Sequence, residues 1–419
     1  MFDLDKWQEI LHTIKQNKLR TFLTAFGVFW GILMLILLLG VGRGMQNGTE
    51  GMFTSDVQDS IWIFPRKTSV AFKGLAPGRQ LQFTEDDIEA LRRELPGLNH
   101  AAAENPLGSI WSGDIIITYG EKTGSFGVYG VGDEYFNIKL LDDFRHGRNL
   151  NAYDHGESRK VVVIGTRVAE ALFPSGADPS GEYITINGVS FRVVGVFYDS
   201  GWQGRMSERL YIPLSTYKQT FDKSKKVNLM AITPKPGVDG LKLEQAAIDL
   251  LKSRHWIAPD DRRAIHSNNL AVRAQTFRNM FAAMDIFIWF VGIGTLAAGI
   301  VGISNIMIIT VKDRTKEIGV RKALGATPGS IIGLILLESV ALTALAGYLG
   351  LVLGVGLLEF VQYVMQKANV QAAYFSSPEV GFGTAVAATL LLVFVGAAAG
   401  LLPAMKAASV TPIEAMRAD

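Results

Sequence analysis

Four long runs without charged side chains constrain the fold of this chain more than any other feature. One run of 22 residues lies at 21–42, and two runs of 26 residues lie at 286–311 and 380–405. In the segment 323–358 a single charged residue, Glu338, interrupts the apolar sequence. An α-helix needs about 20 apolar residues to cross the roughly 30 Å hydrocarbon layer of a bilayer. The runs therefore predict four transmembrane helices, near 20–42, 285–311, 329–358 and 380–403.

The composition agrees with a membrane protein. Charged residues make up 19% of the chain and hydrophobic residues 48%, whereas about a quarter of a soluble protein is charged. The absence of cysteine excludes disulfides, thiolate metal sites and a cysteine nucleophile. Buried core helices are the alternative for the apolar runs, but they are usually shorter. The first run could also be a signal peptide, but it exceeds the apolar region of such peptides, so we expect a retained anchor.

Lysine and arginine residues near the ends of the runs predict the orientation. The N-terminal segment carries four of them, the short loop 312–328 carries five, and the loop between the last two runs carries only Lys367. Both termini and the loop 312–328 are therefore expected in the cytoplasm, with 43–280 outside. In the segment 1–19 the apolar residues share one helical face, which predicts a cytoplasmic amphipathic helix lying on the membrane. A soluble docking helix is the alternative.

The segment between the first two runs indicates a mixed α/β domain. Two strand–helix–strand patterns, in 43–132 and 226–280, suggest two halves of an internal repeat. The β-rich section 133–225 between them is predicted to be an inserted subdomain, with Asn187-Gly188 as the type I′ turn of a hairpin. The predicted strands of the repeat halves are 60–64, 114–119, 228–233 and 270–273, and the predicted helices are 84–95 and 240–253.

A search for catalytic motifs finds none. The chain contains no G-x-x-x-x-G-K-[ST] phosphate loop, and its six histidines form no zinc-binding pair in sequence. Gly292-Ile293-Gly294 resembles the start of a dinucleotide fingerprint, but it lies inside an apolar run and indicates helix packing. We therefore predict no catalytic residue, bound cofactor or metal site in this chain. A membrane-tethered enzyme remains as a competing hypothesis.

Two features within the apolar runs point to helix contacts. Glu338 is predicted to face the helix bundle and to pair with a polar group or a partner chain, or else to be hydrated near the cytoplasmic end of its span. Small residues four positions apart let helices approach closely, within one chain or between two. These predicted packing residues are Gly27, Gly31, Gly350, Gly354, Gly396 and Gly400.

The loop 312–328 carries the most specific pattern. It alternates charged and apolar positions, with Ile318, Val320 and Leu324 expected to project from a charged segment. Thr327 and Pro328 then predict an N-cap and a first helical residue for the next span. Such a loop is too short to be a domain, and it indicates a rigid element that presses against a partner. The positive-inside rule alone would also explain its charge.

These residues resemble the ABC-transporter permeases of the MacB/FtsX type. Three blocks carry the resemblance, and they bracket nearly the whole chain. The blocks are NKLRTFLTAFG at 17–27, NIM at 305–307 with RTKEIGVRKALGA at 314–326, and GLLPA at 400–404 with PIEAMR at 412–417. The resemblance implies a membrane α plus extracytoplasmic α/β fold, in which four transmembrane helices carry a large periplasmic domain between helices 1 and 2. The remaining part, 281–419, resembles the FtsX-like domain.

The resemblance also implies a mechanism and partners. An ABC ATPase, which holds ATP and Mg²⁺, would bind the loop as a coupling helix and drive movement of the periplasmic domains of a permease dimer. Because no ATPase sequence precedes the first span, the ATPase is expected to be a separate subunit. A periplasmic adaptor and an outer-membrane channel are further candidate partners, whereas no nucleic-acid partner is expected. The expected location is the bacterial inner membrane. The implied ATPase-coupling residues are Lys312, Arg314, Lys316, Glu317, Ile318, Gly319, Val320, Arg321, Ala323, Leu324, Gly325 and Ala326.

Two functions within the family stay open at this point. The chain could serve in efflux or extraction of a periplasmic or membrane substrate. It could instead be a membrane signalling protein that activates a periplasmic enzyme without moving solute.

Overall fold

The computed structural model describes residues 18–50, 56–108, 115–141, 143–199, 201–368, 375, 378 and 381–412. Nearly all of the predicted amphipathic helix at 1–19 lies outside these residues, as do residues 413–417 of the third block. The α-helices are α1 Lys18–Glu50, α2 Glu85–Glu94, α3 Tyr135–Ile138, α4 Ala152–Gly156, α5 Thr166–Leu172, α6 Leu214–Thr220, α7 Gly240–Arg254, α8 Leu270–Asp313, α9 Thr315–Ala323, α10 Pro328–Lys367 and α11 Phe382–Ser409.

The described residues also form a 3₁₀-helix at Gly201–Glu208 and a set of short strands. The strands are β1 Ile61–Pro65, β2 Phe83–Thr84, β3 Leu98–Leu107, β4 Ile115–Tyr119, β5 Lys122–Val131, β6 Asp143–Gly147, β7 Val161–Gly165, β8 Tyr183–Ile186, β9 Val189–Tyr198, β10 Arg209–Pro213, β11 Lys226–Val227, β12 Leu229–Pro234 and β13 Ile265–Asn269.

The chain forms two compact units. The span unit comprises Met1–Gly48 and Met280–Asp419, and the sheet unit comprises Thr49–Asn279. Within the described residues, four helices are long and apolar enough to cross a membrane, as the charge-free runs predict. Each of them extends beyond its predicted span, and α8 is the longest at 44 residues.

One half of the sheet unit contains two strand–helix–strand units. The strand that follows α2 in this half is β3, whereas the predicted strand at 114–119 is β4, which lies in the other half. Strands β3, β12, β1 and β13 lie side by side in that order and pair antiparallel. Helix α2 lies between β1 and β3 in sequence, and α7 joins β12 to β13, which is the ferredoxin-like arrangement. Thr84 precedes α2 in extended conformation, and the Asp87 carboxylate accepts its backbone N–H at 2.8 Å. This capping interaction fixes where the helix begins.

The predicted strand at 270–273 is wrong, because α8 begins at Leu270. The last strand of the unit is β13, which ends at Asn269. The side-chain oxygen of Asn269 accepts the backbone N–H groups of Ala271 at 3.1 Å and Val272 at 3.3 Å. Asparagine is a preferred N-cap, and here it starts the helix at a short apolar run that also fits a strand.

The other half of the sheet unit is a closed barrel. Its strands follow one another in the order β5, β4, β8, β9, β7 and β10, and β10 pairs with β5 to close the ring. Asn187 and Gly188 have φ values of 46° and 82°, as the predicted type I′ turn requires. Strand β5 also pairs with β3, so it belongs to both halves. The barrel therefore takes β4 and β5 from before residue 133, where the inserted subdomain was expected to begin.

A buried ionic cluster lies within the sheet unit. The ammonium of Lys139 lies 3.1 Å from an Asp56 carboxylate oxygen and 3.3 Å from one of Asp199. Burial alone would lower the pKa of Lys139, but the attraction of Asp56 and other nearby groups raises it. Nearby, burial raises the pKa of Glu104, which accepts a hydrogen bond from the Tyr135 hydroxyl. Buried charges are tolerated only when they are paired in this way.

The span unit is held together by close helix contacts. Its core contains apolar side chains from α1, α8, α10 and α11, together with Ile318 of α9. All six glycines predicted to pack helices lie at contacts between helices of this chain. A Cβ atom at Gly350 would lie 2.6 Å from the Phe29 carbonyl oxygen, and one at Gly396 would lie 2.9 Å from the Val340 Cα. A Cβ atom at the other four glycines would also contact another helix: Gly27 would contact Gly299, Gly31 would contact Leu296, Gly354 would contact Ile36, and Gly400 would contact Ser339.

Candidate coupling site

The short helix α9 lies between the ends of two spans. Arg314 separates α8 from α9 and is the N-cap residue of α9. Its carbonyl accepts the N–H of Ile318 at 3.0 Å, which is the first hydrogen bond of α9. The Thr315 hydroxyl donates to the Lys312 carbonyl at 2.8 Å. The first turn of α9 is therefore anchored on the last turn of α8.

A Schellman motif ends α9. Gly325 has a φ of 96°, its N–H donates to the Lys322 carbonyl at 3.0 Å, and the Ala326 N–H donates to the Arg321 carbonyl at 3.0 Å. Glycine adopts the left-handed conformation of this motif without the steric cost that a side chain brings. Two residues later Thr327 caps α10, and Pro328 is its first residue, as predicted. The end of α9 and the start of α10 are thus both determined by local sequence.

One face of α9 is buried inside the chain. Ile318 is 9% exposed and packs in the core of the span unit, and Gly319 is buried beside it. The prediction that Ile318 projects is therefore wrong. Ile318 belongs to the same buried cluster as Ile331 and Ile335 of α10, and removing its apolar side chain from water is favourable.

The other face of α9 is open and carries two apolar side chains. Val320 is 52% exposed, and Leu324, the C-cap residue, is 84% exposed. Charged residues surround them: the Arg321 guanidinium lies 2.8 Å from Glu317, four positions earlier on the helix. The remaining exposed coupling residues are Lys312, Lys316, Ala323 and Gly325. We call the pair Val320 and Leu324 the docking pair.

Glu338 connects α10 to the start of α9. It is 6% exposed, and its carboxylate lies 3.5 Å from the Arg314 guanidinium. Both side chains line a pocket between the ends of α8, α9 and α10, together with Met307, Thr310, Val311, Glu317, Ile318, Arg321, Ile331, Leu334 and Ile335. A carboxylate in a span is costly unless it is paired. Here it faces a polar group of its own chain, which is one of the two alternatives that the sequence left open.

Lys322 was not among the predicted coupling residues, yet it makes a specific contact. Its ammonium donates to the main-chain carbonyls of Ala408 and Val410, the latter at 2.8 Å. In sequence, Lys322 is one of several basic residues in a charged loop, and nothing distinguishes it from its exposed neighbours. Its partners are main-chain atoms some 86 residues away in the sequence, which no local pattern could reveal.

The described parts of the chain contain no group of three His, Asp or Glu side chains placed to hold a metal ion. The polar network that joins α2 to α7 in the sheet unit is a structural one. There Asp87 accepts hydrogen bonds from Arg254 at 2.7 Å and lies 2.8 Å from His255. These bonds hold the pKa of Asp87 far below its usual range, although burial opposes them.

The comparisons with known proteins assign this architecture. Residues 21–250 match the family model of the MacB-like periplasmic core domain, and residues 289–412 match that of the FtsX-like permease C-terminal domain. The chain belongs to the MacB/FtsX family of ABC permeases. Helix α9, with the docking pair and the Arg314–Glu338 contact, lies within the FtsX-like match. As a member of this family with four apolar spans, the chain is a multi-pass membrane protein.

Curated relatives include macrolide export ATP-binding/permease proteins named MacB. The one from Chlorobaculum tepidum is 30% identical over 422 residues, which cover 98% of this chain and 60% of the relative. The one from Bdellovibrio bacteriovorus is 28% identical over 408 residues, which cover 97% of this chain and 60% of the relative. The chain thus spans about three fifths of the length of these two relatives.

Solved structures similar to the chain are domains of transporters. The periplasmic region of MacB from Actinobacillus actinomycetemcomitans is 23% identical, covers 56% of this chain and 98% of that chain, and has a TM-score of 0.43. The extracellular domain of the noncanonic ABC-type transporter YknZ from Gram-positive bacteria is 21% identical and has a TM-score of 0.41. The match covers 50% of this chain and 100% of the YknZ chain.

Proposed function

We propose that this chain is a permease subunit of an ABC transporter and that α9 is its coupling helix. An ABC ATPase on a separate subunit binds ATP and Mg²⁺ and docks on α9. Its movement passes through the spans to the sheet units of a permease dimer, which lie in the periplasm, while both termini and α9 lie in the cytoplasm. The work serves efflux or extraction of a periplasmic or membrane substrate. A periplasmic adaptor and an outer-membrane channel complete the assembly.

The observation that carries the proposal is the exposure of the docking pair on a rigidly held helix. Val320 and Leu324 are exposed beside the charged residues Glu317 and Arg321, and hydrogen bonds hold both ends of α9. Protein interfaces have an apolar centre surrounded by a polar rim, and a few central side chains carry most of the binding energy. Because α9 is held at both ends, a displacement of α9 by the ATPase would move the attached spans as well.

The replacement Leu324→Asp should weaken binding of the cognate ATPase. Putting a charge at the centre of an apolar contact costs about 2 kcal/mol or more, which is roughly a 30-fold loss of affinity. The measurement is copurification of the ATPase with the full chain in lipid nanodiscs, together with the ATPase rate. Ser330→Asp is the matched control, because it adds the same charge in the first turn of α10, where a helix N-terminus favours it.

Two results decide the outcome. Loss of both binding and stimulation in Leu324→Asp, with Ser330→Asp unchanged, supports the docking surface. Full binding by Leu324→Asp would contradict it. A vesicle assay with the bound ATPase then separates the two functions in the family: movement of a cargo supports transport, and ATP-dependent activation of an added periplasmic enzyme without cargo movement supports the signalling alternative.

A further inference from the structure

The side chain of Lys322 ends on the last turn of α11, the final span. Its ammonium donates to the carbonyls of Ala408 and Val410. The last carbonyls of a helix have no partner within the helix, and they carry the negative end of its dipole. A lysine from another element therefore completes this helix end with charge-assisted hydrogen bonds.

The opposite end of α9 is attached to a different span. Arg314, just before α9, lies 3.5 Å from Glu338 of α10, whereas Lys322 is the last residue but one of α9. The nine residues of α9 are thus tied to α10 at the start and to α11 at the end. Between these ties, Ile318 and Gly319 are buried against the span unit.

From this arrangement we infer that Lys322 is a positioning residue that transmits displacement of α9 to α11. The inference rests on the proposed function, in which the ATPase docks on Val320 and Leu324. The Lys322 ammonium is bound to its own chain, so its task differs from that of the docking pair. It makes the cytoplasmic end of the last span follow the coupling helix, and without it α9 and α10 move while α11 stays behind.

The variant Lys322→Met tests this task, because methionine keeps an apolar stem but donates no hydrogen bond and carries no charge. Lys406→Met is the matched control: Lys406 is an exposed lysine in the last turn of the same helix, α11. Lys322→Arg retains the charge and the donors and should preserve coupling. Each variant is made in the full chain and reconstituted with the cognate ATPase in nanodiscs.

We expect Lys322→Met to bind the ATPase as the native chain does and to lower its stimulation about tenfold. The second readout is a distance between spin labels on Ser330→Cys in α10 and Met405→Cys in α11. Both positions are exposed, and the native sequence has no cysteine to interfere. In the native and Lys406→Met chains the distance should be the same with and without trapped ATP, and in Lys322→Met it should shift when ATP is trapped.

The possible failures are distinguishable. If the ATPase does not bind the native chain, the proposed function fails. Even then, the distance between the spin labels on α10 and α11 tests, in the permease alone, whether Lys322 holds α9 to α11. Lys322→Met should broaden the distribution of this distance, and Lys322→Arg should not. Equal widths in all variants, or full stimulation and an unshifted distance in Lys322→Met with ATPase bound, would overturn the role of Lys322.

Discussion

Replacing Lys139 with methionine should destabilise the sheet unit by about 3–5 kcal/mol. The change removes the ammonium that both the Asp56 and the Asp199 carboxylates contact. Asp199 has a side chain that is almost fully buried, so water cannot take the place of the lost ammonium. Removing one partner from a buried ion pair is costly because the remaining buried charge loses the attraction that offset its desolvation.

Hydrogen exchange of the full chain measures this effect where it occurs. Strand β9 ends beside Asp199, so peptides from Val189–Tyr198 should lose protection in Lys139→Met. Lys160→Met is the control, because Lys160 is an exposed lysine directly before β7. Equal protection of β9 in the two variants would show that the cluster contributes little to the stability of the sheet unit.

The replacement Gly350→Leu should prevent the span unit from folding. A Cβ atom there would lie 2.6 Å from the carbonyl oxygen of Phe29 in α1 and 3.3 Å from the backbone nitrogen of Leu33. These are main-chain atoms, so α1 itself would have to move away from α10. Overpacking of this kind costs about 3 kcal/mol or more, and we expect little folded protein in the membrane.

Gly356→Leu is a close control for this substitution. Gly356 lies in the same helix and is exposed, and a Cβ atom there meets nothing within 4 Å. Leucine favours the helix over glycine at both positions, so a difference between the variants reports packing alone. The comparison is the yield of monodisperse protein after detergent extraction, and equal yields would contradict the close contact between α1 and α10.

The features that depend on local sequence could be predicted. Charge-free runs predict four spans because a bilayer core excludes charge over a fixed length. Asn187-Gly188 predicts its turn because both residues tolerate a positive φ. Thr327 and Pro328 predict the start of α10 because each suits its position at a helix N-terminus.

Features that depend on tertiary contacts could not be predicted. The short apolar run at 270–273 fits a strand as well as a helix, and the cap at Asn269 favours the helix. Closure of the barrel depends on the pairing of β10 with β5, whose strands are far apart in sequence. The burial of Ile318 and the bonds of Lys322 depend on how α9 lies on α10 and α11, which no short motif encodes.

The most direct test of the proposed coupling helix uses the absence of native cysteine. A single cysteine replaces either Leu324 or Tyr153, which is 71% exposed in the sheet unit. Intact cells that carry each variant are treated with a membrane-impermeant maleimide. In isolated membranes, a photocrosslinker is attached to Leu324→Cys. We expect labelling from outside at Tyr153→Cys alone and a crosslink from Leu324→Cys to an ABC ATPase. Labelling of Leu324→Cys in intact cells, without an ATPase crosslink, would contradict the account.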